Sequence, residues 1–411
     1  MGNISYFCIV KRFTTHLKYL LVLVAFLLTT QQTNAQVDSV LLKSMDSVKI
    51  SLLTCGPGDQ IYSYYGHTAI HYNDVGRQQD IVANYGMFSF QKSYFILRFV
   101  FGLTDYEMGI QDINDFIASY ARRGSWVKEQ QLNLTREEKW AITQAIDVNY
   151  RPENRVYRYN YFYDNCTTRA RDMIVNHING NVLYAENKNV TTSYRQMIHQ
   201  WNEQHRWARF GNDLLLGVKA DAKTDNAQQQ FLPDSLREDF AHALVIDRQG
   251  QRRNLVESTS YLIQPIEKPV EKAAVTPVVC AILWLILTLI TCLVEWKTGR
   301  ILWVYDLVVM LVTGTAGLIL LAMVFSQHPT VQLNFQILLL CPLNLFYLFP
   351  TIKALRMGRI HSYIKLYSLL LVANLMLAFF QTYAEGMVIV ALSLLLRYGW
   401  LMIHTYKKPV K

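Results

Sequence analysis

The chain lacks the short motifs that identify most metalloenzymes and nucleotide-binding proteins. Its 411 residues contain no Cys-x-x-Cys pair, no His-Glu-x-x-His spacing and no glycine-rich phosphate loop. His67 and His71 could in principle be metal ligands, but the pattern gives a metal site little support. We therefore expect the protein to work without a metal or another cofactor.

A surplus of charge is also missing from the polar part of the chain. The formal net charge is +9, yet residues 36–276 hold 27 basic and 28 acidic side chains. The surplus comes from three basic residues near the N-terminus and from residues 277–411, which hold ten basic and three acidic ones. Basic residues placed in this way orient a membrane protein and give no support for nucleic-acid binding.

The N-terminal segment has the three parts of a secretory signal. Lys11, Arg12 and Lys18 precede the apolar run 19–28, and small residues end at a predicted cleavage site after Ala35. The run is short for a membrane span, which favours cleavage over the alternative of an uncleaved anchor helix. We therefore predict a signal peptide over the first 35 residues and an exported mature chain.

Long apolar runs are confined to the C-terminal third, where we predict five membrane-spanning helices. Most of these segments are close to the roughly 20 residues that a helix needs to cross a bilayer. The third is shorter and is interrupted by Pro342 and Pro350. The predicted spans cover residues 278–294, 301–325, 335–349, 363–383 and 387–404.

Lys and Arg occur in alternate connections between these spans. The connections after the second and fourth spans, residues 326–334 and 384–386, contain neither residue type. Because a cleaved signal puts the polar domain outside, the signal and the positive-inside rule predict one topology, with a cytoplasmic tail at residues 407–411. The basic residues of the other connections and of the tail are Lys297, Arg300, Lys353, Arg356, Arg359, Lys407, Lys408 and Lys411.

The exported part is predicted to be one α+β domain over residues 36–256. A linker rich in Pro, Glu and Lys follows at residues 257–276, and the membrane domain covers residues 277–406. Thr135 and Glu138 form a capping box, which predicts the start of a helix. Predicted strands cover 49–54, 67–72, 80–85 and 126–134, and predicted helices cover 112–121, 135–150, 233–245 and a segment that begins near Cys166.

Of six cysteines in the chain, only Cys55 and Cys166 fall in the exported domain. Cys166 stands at a predicted helix start, behind Asp164 and Asn165 as capping candidates. Backbone N–H groups at a helix start favour a thiolate and can stabilise an oxyanion, and Arg169 adds positive potential. Because an exported domain meets oxidising conditions, a Cys55–Cys166 disulfide is the alternative.

His67 is the candidate partner of this thiol. It follows Gly66 and begins the predicted strand 67–72, whose alternation puts His67 and His71 on one face. An imidazole opposite a helix-terminal cysteine is the usual activator of a thiolate nucleophile. Either Asn84 on the neighbouring strand or His71 could orient the ring, and a purely structural role for His67 is the alternative.

Four short motifs carry a resemblance to a known family. A histidine on an early strand and a later cysteine at a helix start reverse the chain order of papain-like enzymes. The order resembles the circularly permuted papain-like group that includes lecithin:retinol acyltransferase. With the spans that follow, the motifs resemble the Lnb-type lipoprotein N-acyltransferases of some Gram-negative bacteria over most of residues 40–400. The motifs are LTCGPGD at 53–59, YGHTAI at 65–70, NYGMF at 84–88 and DNCTTRARD at 164–172.

The resemblance implies a fold, a location and a reaction. It implies a permuted papain-like domain in the periplasm, followed by an all-α bundle of five transmembrane helices in the bacterial inner membrane. Cys166 would be the nucleophile and His67 its base, while the role of Cys55 stays open. The implied enzyme moves an acyl chain from a phospholipid, through a thioester on Cys166, to the α-amine of a diacylglyceryl-cysteine lipoprotein.

Two other functions remain open on the sequence. The same Cys166 and His67 would serve a membrane-tethered cysteine peptidase or amidase that acts on peptidoglycan peptides. A disulfide between Cys55 and Cys166 would instead indicate a non-enzymatic binding or sensory domain.

Two further segments have more than one interpretation. Asp306, near the inner end of the second span, is predicted to pair with an interfacial base such as Arg300 or Lys297, although intramembrane acids can be functional. Residues 93–103 (SYFILRFVFGL) are aromatic and apolar. This composition fits either core packing or insertion into the outer-leaflet interface beside the site.

Overall fold

The structure, a computed structural model, describes residues 39–88, 93–185, 191–266 and 275–406. The predicted signal peptide and cytoplasmic tail lie outside these described residues. Within them, an N-terminal domain of sheets and helices precedes a region that is helical throughout. The predicted change from a mixed domain to a helical one is thereby confirmed.

Ten strands form two antiparallel sheets in the described part of the chain. They are β1 (Val48–Cys55), β2 (His67–Asp74), β3 (Gln79–Met87), β4 (Asp105–Asp112), β5 (Val127–Leu132), β6 (Val156–Arg158), β7 (Asn181–Leu183), β8 (Leu244–Ile246), β9 (Arg252–Asn254) and β10 (Val256–Ile263). The first sheet has the order β10-β5-β1-β2-β3-β4-β6, and the second has the order β7-β8-β9. The four predicted strands are present as β1, β2, β3 and β5.

Besides the helical residues 39–44 and three 3-10 helices, eight α-helices of the described residues belong to this domain. They are α1 (Phe95–Val100), α2 (Ile113–Arg122), α3 (Arg136–Tyr150), α4 (Cys166–Val175), α5 (Tyr194–Asn202), α6 (Arg206–Leu215), α7 (Asn226–Gln229) and α8 (Pro233–His242). The capping box of Thr135 and Glu138 at the start of α3 is confirmed. Apolar side chains of α3, α4 and α8 pack on one face of the first sheet, and those of α2 pack on the other.

Two element boundaries differ from the sequence expectation. The sequence predicts that α8 reaches residue 245, but the helix ends at His242, because residues 244–246 form β8 and pair with β7 and β9. β10 covers the start of the predicted linker at residues 257–276 and pairs with β5. Since most side chains of this edge strand are exposed, its polar composition resembles that of a linker.

The helical region contains seven helices within the described residues. They are α9 (Pro277–Thr298), α10 (Trp303–Val324), α11 (Pro329–Gln332), α12 (Leu343–Phe346), α13 (Leu348–Arg356), α14 (Ser362–Leu377) and α15 (Met387–Tyr406). Three of them, α9, α10 and α15, are long and apolar enough to cross a membrane. α14 is also apolar, but its 16 residues rise by only about 24 Å, against roughly 30 Å of hydrocarbon.

The third predicted span, residues 335–349, does not form one continuous helix, so the prediction of a single helix there is wrong. It divides into a 3-10 turn at Phe335–Leu338, then α12, then the start of α13. Pro342 stands immediately before α12 and has no N–H to donate, so helical hydrogen bonding cannot run through it. Pro350 lies in the first turn of α13, where a missing N–H is tolerated.

Two connections of the helical region pack against the sheet domain. In the connection after α10, Thr330 O accepts a hydrogen bond from Gly217 N at 2.7 Å. In the connection before α15, Gln381 Nε2 donates to Leu216 O at 3.2 Å. Because Leu216 and Gly217 directly follow α6, these bonds fix the sheet domain against one end of α10.

A buried ion cluster joins α9, α10 and α15. Arg397 makes two hydrogen bonds of 2.7 Å to Glu295 and bonds of 2.6 and 3.0 Å to Asp306. All three side chains are fully buried. The predicted partners of Asp306, Arg300 and Lys297, are exposed instead, so that pairing is wrong. Packing of α15 against α9 brings a more distant arginine to the carboxylate.

The aromatic segment 93–103 is largely unburied. Ile96 and Leu97 of α1 are 77% and 56% exposed. Phe101 O accepts a hydrogen bond from Gln327 N at 2.9 Å, which places the segment beside the end of α10. The exposed side chains of α1 are therefore not part of a hydrophobic core.

Candidate active site

His67 is positioned by the β1–β2 pair and by the glycine before it. Cys55, the last residue of β1, lies opposite His67, the first residue of β2. Gly66 has a φ of +77°, and a Cβ at this position would lie 2.6 Å from the carbonyl oxygen of Cys55. Glycine accepts both the positive φ and the close approach, so the residue before His67 fixes the position of the histidine backbone.

Cys166 is the first residue of α4, as the sequence predicts. The Asn165 side chain caps this helix, and its Oδ1 accepts hydrogen bonds from Thr167 N at 2.8 Å and Thr168 N at 3.0 Å. The cap therefore occupies two of the helix-start N–H groups that we expected to bind an oxyanion. The N–H of Cys166 is the helix-start donor beside the sulfur that Asn165 does not cap.

An irregularity in β3 brings the strand close to the sulfur. The register between β3 and β4 shifts between Asn84 and Met87. Within this shift, Gly86 has a φ of +83°, and a Cβ on it would lie 3.6 Å from Cys166 Cβ. A bulge of this kind changes the direction of the side chains along a strand. This one follows Asn84, so the later residues of the NYGMF motif continue in a shifted register.

Asn84 holds the imidazole through a short hydrogen bond. The distance between His67 Nε2 and Asn84 Oδ1 is 2.6 Å. Because an amide oxygen only accepts, Nε2 carries the hydrogen, and Nδ1 is the ring nitrogen left to meet the thiol of Cys166. Asn84 Nδ2 donates in turn to Gln111 Oε1 at 3.2 Å. Sequence reasoning missed Gln111, because its proximity depends on the pairing of β4 with β3.

The sulfur and the imidazole are electrostatically coupled. Burial disfavours the thiolate, yet the neighbouring His67 and a hydrogen bond from Thr68 N lower the pKa of Cys166 to about 7. Burial also disfavours the imidazolium, but Cys166 and the bond to Asn84 raise the pKa of His67 above its ordinary value. Near neutral pH the pair can therefore exist as thiolate and imidazolium, the form suited to attack on a carbonyl carbon.

His71, the other candidate for orienting the ring, lies away from this pair. Its Nδ1 is 2.6 Å from Glu129 Oε1, and its Nε2 is 2.6 Å from Asp80 Oδ1. Burial disfavours its imidazolium, but the two carboxylates raise the pKa of His71. Four strand residues, about 13 Å, separate it from His67. The structure thus brings Asn84, and not His71, to the His67 ring.

Arg169 is paired and does not supply the positive potential that we expected at the sulfur. Its guanidinium donates to both oxygens of Asp164, at 2.6 and 2.8 Å. The same group lies 3.6 Å from the ring centre of Tyr157. The carboxylate of Asp164 largely offsets the field of Arg169, so His67 is the main cationic partner of the thiol.

Cys55 and Cys166 are both free thiols, so the structure contains no disulfide between them. Cys55 is 1% exposed, and burial raises the pKa of its thiol. Tyr120 of α2 hydrogen-bonds Cys55, and its ring stacks on His67 with 6.4 Å between centroids. Cys55 therefore packs with Tyr120 next to the His67 ring.

A cavity of about 490 Å³ opens onto the sulfur, and we call it the Cys166 cavity. His67, Asn84 and Gly86 line it together with several aromatic side chains. Its volume falls within the roughly 300–1,000 Å³ of small-molecule sites. In the described part of the chain, no group of three or more His, Cys, Asp or Glu side chains is placed to hold a metal ion. The chemistry that the site offers is nucleophilic attack by a thiol beside a base.

We expect Cys166 to react with iodoacetamide as a thiolate at neutral pH. The alkylation rate should rise as the pH increases through about 7, the pKa of this thiol. In His67→Ala the imidazolium is lost while burial still disfavours the thiolate. The midpoint should therefore move above the ordinary value near 8.5, and the rate at pH 7 should fall at least about tenfold. Mass spectrometry of the alkylated protein measures both the rate and the site.

Cys55 serves as the internal control for this measurement, because its buried thiol should stay unlabelled in the folded protein. A Cys166 that reacts only above the ordinary range of a thiol would contradict the coupling. So would a pH profile that is unchanged in His67→Ala.

These features define a class of protein: a Cys–His site in a mixed sheet domain that is fixed to a membrane-spanning helical region. Residues 42–200 match the Lnb N-terminal periplasmic domain, and residues 269–409 match the Lnb transmembrane domain. The chain therefore belongs to the Lnb family, whose domains indicate a membrane-associated, lipoprotein-modifying enzyme. No curated protein and no solved structure matches the chain significantly.

Proposed function

We propose that the protein is a lipoprotein N-acyltransferase that uses a phospholipid as its acyl donor. The observation that carries the proposal is the coupled Cys166–His67 pair, held by Asn84, in a domain bonded to one end of a membrane helix. Membership of the Lnb family supports the lipoprotein as acceptor. Both substrates are held in the bilayer, so an enzyme anchored there lowers the entropic cost of aligning them.

In the first half-reaction, Cys166 takes the acyl group from the donor. Nδ1 of His67 accepts the thiol proton, and the thiolate attacks the ester carbonyl of the phospholipid. The bond between the carbonyl carbon and the ester oxygen then breaks. The leaving oxygen takes the proton back from His67, so a lysophospholipid departs and a thioester remains on Cys166.

In the second half-reaction, the free α-amine of a diacylglyceryl-cysteine lipoprotein attacks the thioester carbonyl. The carbon–sulfur bond breaks, an amide forms, and one amine proton passes through His67 to the Cys166 sulfur. The enzyme returns to its starting state, and the lipoprotein carries one more acyl chain. Asn84 acts in both halves by keeping Nε2 protonated and Nδ1 directed at the sulfur.

The oxyanion of each tetrahedral intermediate needs a donor beside the sulfur. We assign this role to the backbone N–H of Cys166, since Asn165 occupies the next two amides of α4. The positive end of the helix dipole supports the same charge.

We further propose the permuted papain-like arrangement for the sheet domain, on the order of the β2 histidine and the α4 cysteine. The same proposal puts the sheet domain in the periplasm and the C-terminus in the cytoplasm of a multi-pass inner-membrane protein. The basic connections at Lys297, Lys353 and Arg359 support this orientation.

Mass spectrometry of lipoprotein N-termini tests this function. In cells that depend on this gene, its removal should leave mature lipoproteins lighter by one acyl chain, and its return should restore that chain. Unchanged lipoproteins together with altered peptidoglycan peptides would overturn the proposal. That result would favour a cysteine peptidase or amidase, in which water replaces the amine.

A further inference from the structure

A second cavity, of about 590 Å³, lies between the sheet domain and the end of α10. We call it the apolar cavity. Ile198 and Leu215 line it from the sheet domain, and Met323 and Val331 line it from the helical region. The four side chains belong to one hydrophobic cluster that crosses the boundary between the two parts.

The apolar cavity adjoins the Cys166 cavity. Six aromatic residues line both spaces: Tyr62, Tyr65, Phe88, Tyr106, Tyr159 and Tyr161. The two cavities therefore meet at these rings, which a chain that extends from the sulfur toward the apolar cavity has to pass.

The lining of the apolar cavity suits a hydrocarbon chain. It includes no Asp, Glu, Lys or Arg in the described part of the chain. Burial lowers the pKa of His328, which lines the cavity, so this imidazole is neutral at neutral pH. Among the polar lining groups, Asn212 Nδ2 already donates to Tyr65 Oη at 2.6 Å. An alkyl chain needs no hydrogen-bond partner and gains from leaving water.

The short helix α1 separates this cavity from the surroundings at the end of α10. Phe95 and Phe99 line the cavity, whereas Ile96 and Leu97 on the same helix are largely exposed. Apolar side chains exposed beside the end of a candidate membrane span fit burial in the headgroup and acyl boundary of a bilayer.

We propose that the apolar cavity holds the alkyl chain of the acyl donor and of the Cys166 thioester, with α1 as the wall that faces the outer leaflet. The inference rests on the proposed function and names the part of the phospholipid that the site selects. The ester carbonyl lies at the sulfur, the chain passes the six shared rings, and its end reaches Met323 and Val331. Because each buried CH₂ contributes roughly fourfold to affinity, long chains are preferred over short ones.

Filling the apolar cavity should slow the acylation of Cys166 by long-chain donors but not by short-chain donors. In Val331→Trp, the rate of Cys166 acylation by dipalmitoyl phosphatidylethanolamine should fall about tenfold or more, because the indole occupies the volume of several methylenes. The rate with the dihexanoyl lipid should stay within about twofold of the wild type. Ile198→Phe, which fills the cavity from the sheet domain, should show the same separation.

Leu333→Trp is the matched control, since Leu333 lies two residues from Val331, is 53% exposed and does not line the cavity. It should change neither rate. Equal loss of both rates in both filling variants, or no loss in either, would overturn the cavity proposal while leaving the acyl transfer intact.

Photo-crosslinking tests the chain position without any chemistry at sulfur. A phospholipid with a diazirine near its chain end, added to Cys166→Ala, should label peptides that contain Ile198, Leu215 or Val331. Labels confined to the outer surfaces of α9 and α10 would overturn the proposal. If the cavity is labelled but the wild type forms no acyl adduct with either lipid, the proposed function fails and the chain site stands.

Discussion

Replacement of Cys166 by alanine should abolish lipoprotein N-acylation while the protein still folds and inserts. The side chain is small and only partly buried at a helix start, so its loss removes the nucleophile without opening a large void. Loss of a nucleophile that acts as a unit with its base lowers the rate by on the order of a thousandfold or more. Lipoprotein mass spectrometry in a complemented deletion strain measures the loss.

His67→Ala should cause a loss of similar size, because the two residues act as one unit. Cys280→Ala is the matched control, since it makes the same thiol-to-methyl change on α9, away from the site. N-acylation that persists in Cys166→Ala would contradict the proposed nucleophile. Activity lost equally in Cys280→Ala would show that the assay reports folding instead.

Replacement of Arg397 by methionine should strongly destabilise the helical region. The arginine neutralises Glu295 and Asp306 at full burial, and its removal leaves two carboxylates without their cation. Breaking a buried ion pair by removing one partner costs about 3–5 kcal/mol. A thermal melt of the purified protein in detergent should show a much lower midpoint, and the yield of folded protein should fall.

Two variants separate the charge effect from other causes. Arg359→Met makes the same change at an exposed position in a connection and should leave the melting midpoint nearly unchanged. The triple variant Arg397→Met, Glu295→Gln, Asp306→Asn removes both orphaned charges and should recover much of the stability. A single Arg397→Met that melts like the wild type would contradict a structural role for the cluster.

The placement of Cys166, His67 and Asn84 could be predicted because the signals for it are local. The helix that starts at Cys166 follows from the Asn165 cap and the apolar spacing after it. His67 and Asn84 follow from the alternation of two neighbouring strands joined by a short turn. Caps and strand alternation act over a few residues, so a sequence shows them directly.

Features that depend on long-range pairing could not be predicted. Gln111 reaches Asn84 only through the register of β4, a strand whose alternation is interrupted by a glycine and polar residues. The partner of Asp306 is Arg397, 91 positions away and fixed by packing of the long helices. The sequence alone also does not show that Asn165 caps two amides of α4. A capping side chain and an oxyanion compete for the same N–H donors at a helix start.

The third predicted span shows that an apolar composition alone does not predict a continuous helix. Residues 335–349 are apolar enough to suggest a helix, yet Pro342 interrupts the hydrogen bonding, and the segment bends into short pieces. Side chains in this segment still find partners: Gln336 Nε2 donates to Asp213 O at 2.9 Å, across the boundary with the sheet domain. The segment thus contributes to the contact that holds the site against the helical region.

The most direct test is the intact mass of the purified protein after incubation with a phospholipid of defined chain. The wild type should gain the mass of one acyl chain, peptide mapping should place it on Cys166, and hydroxylamine should release it as expected for a thioester. Cys166→Ala should gain nothing. An acyl adduct that forms equally well on Cys166→Ala, or a wild type that hydrolyses the lipid without ever carrying the chain, would contradict a thioester at this cysteine.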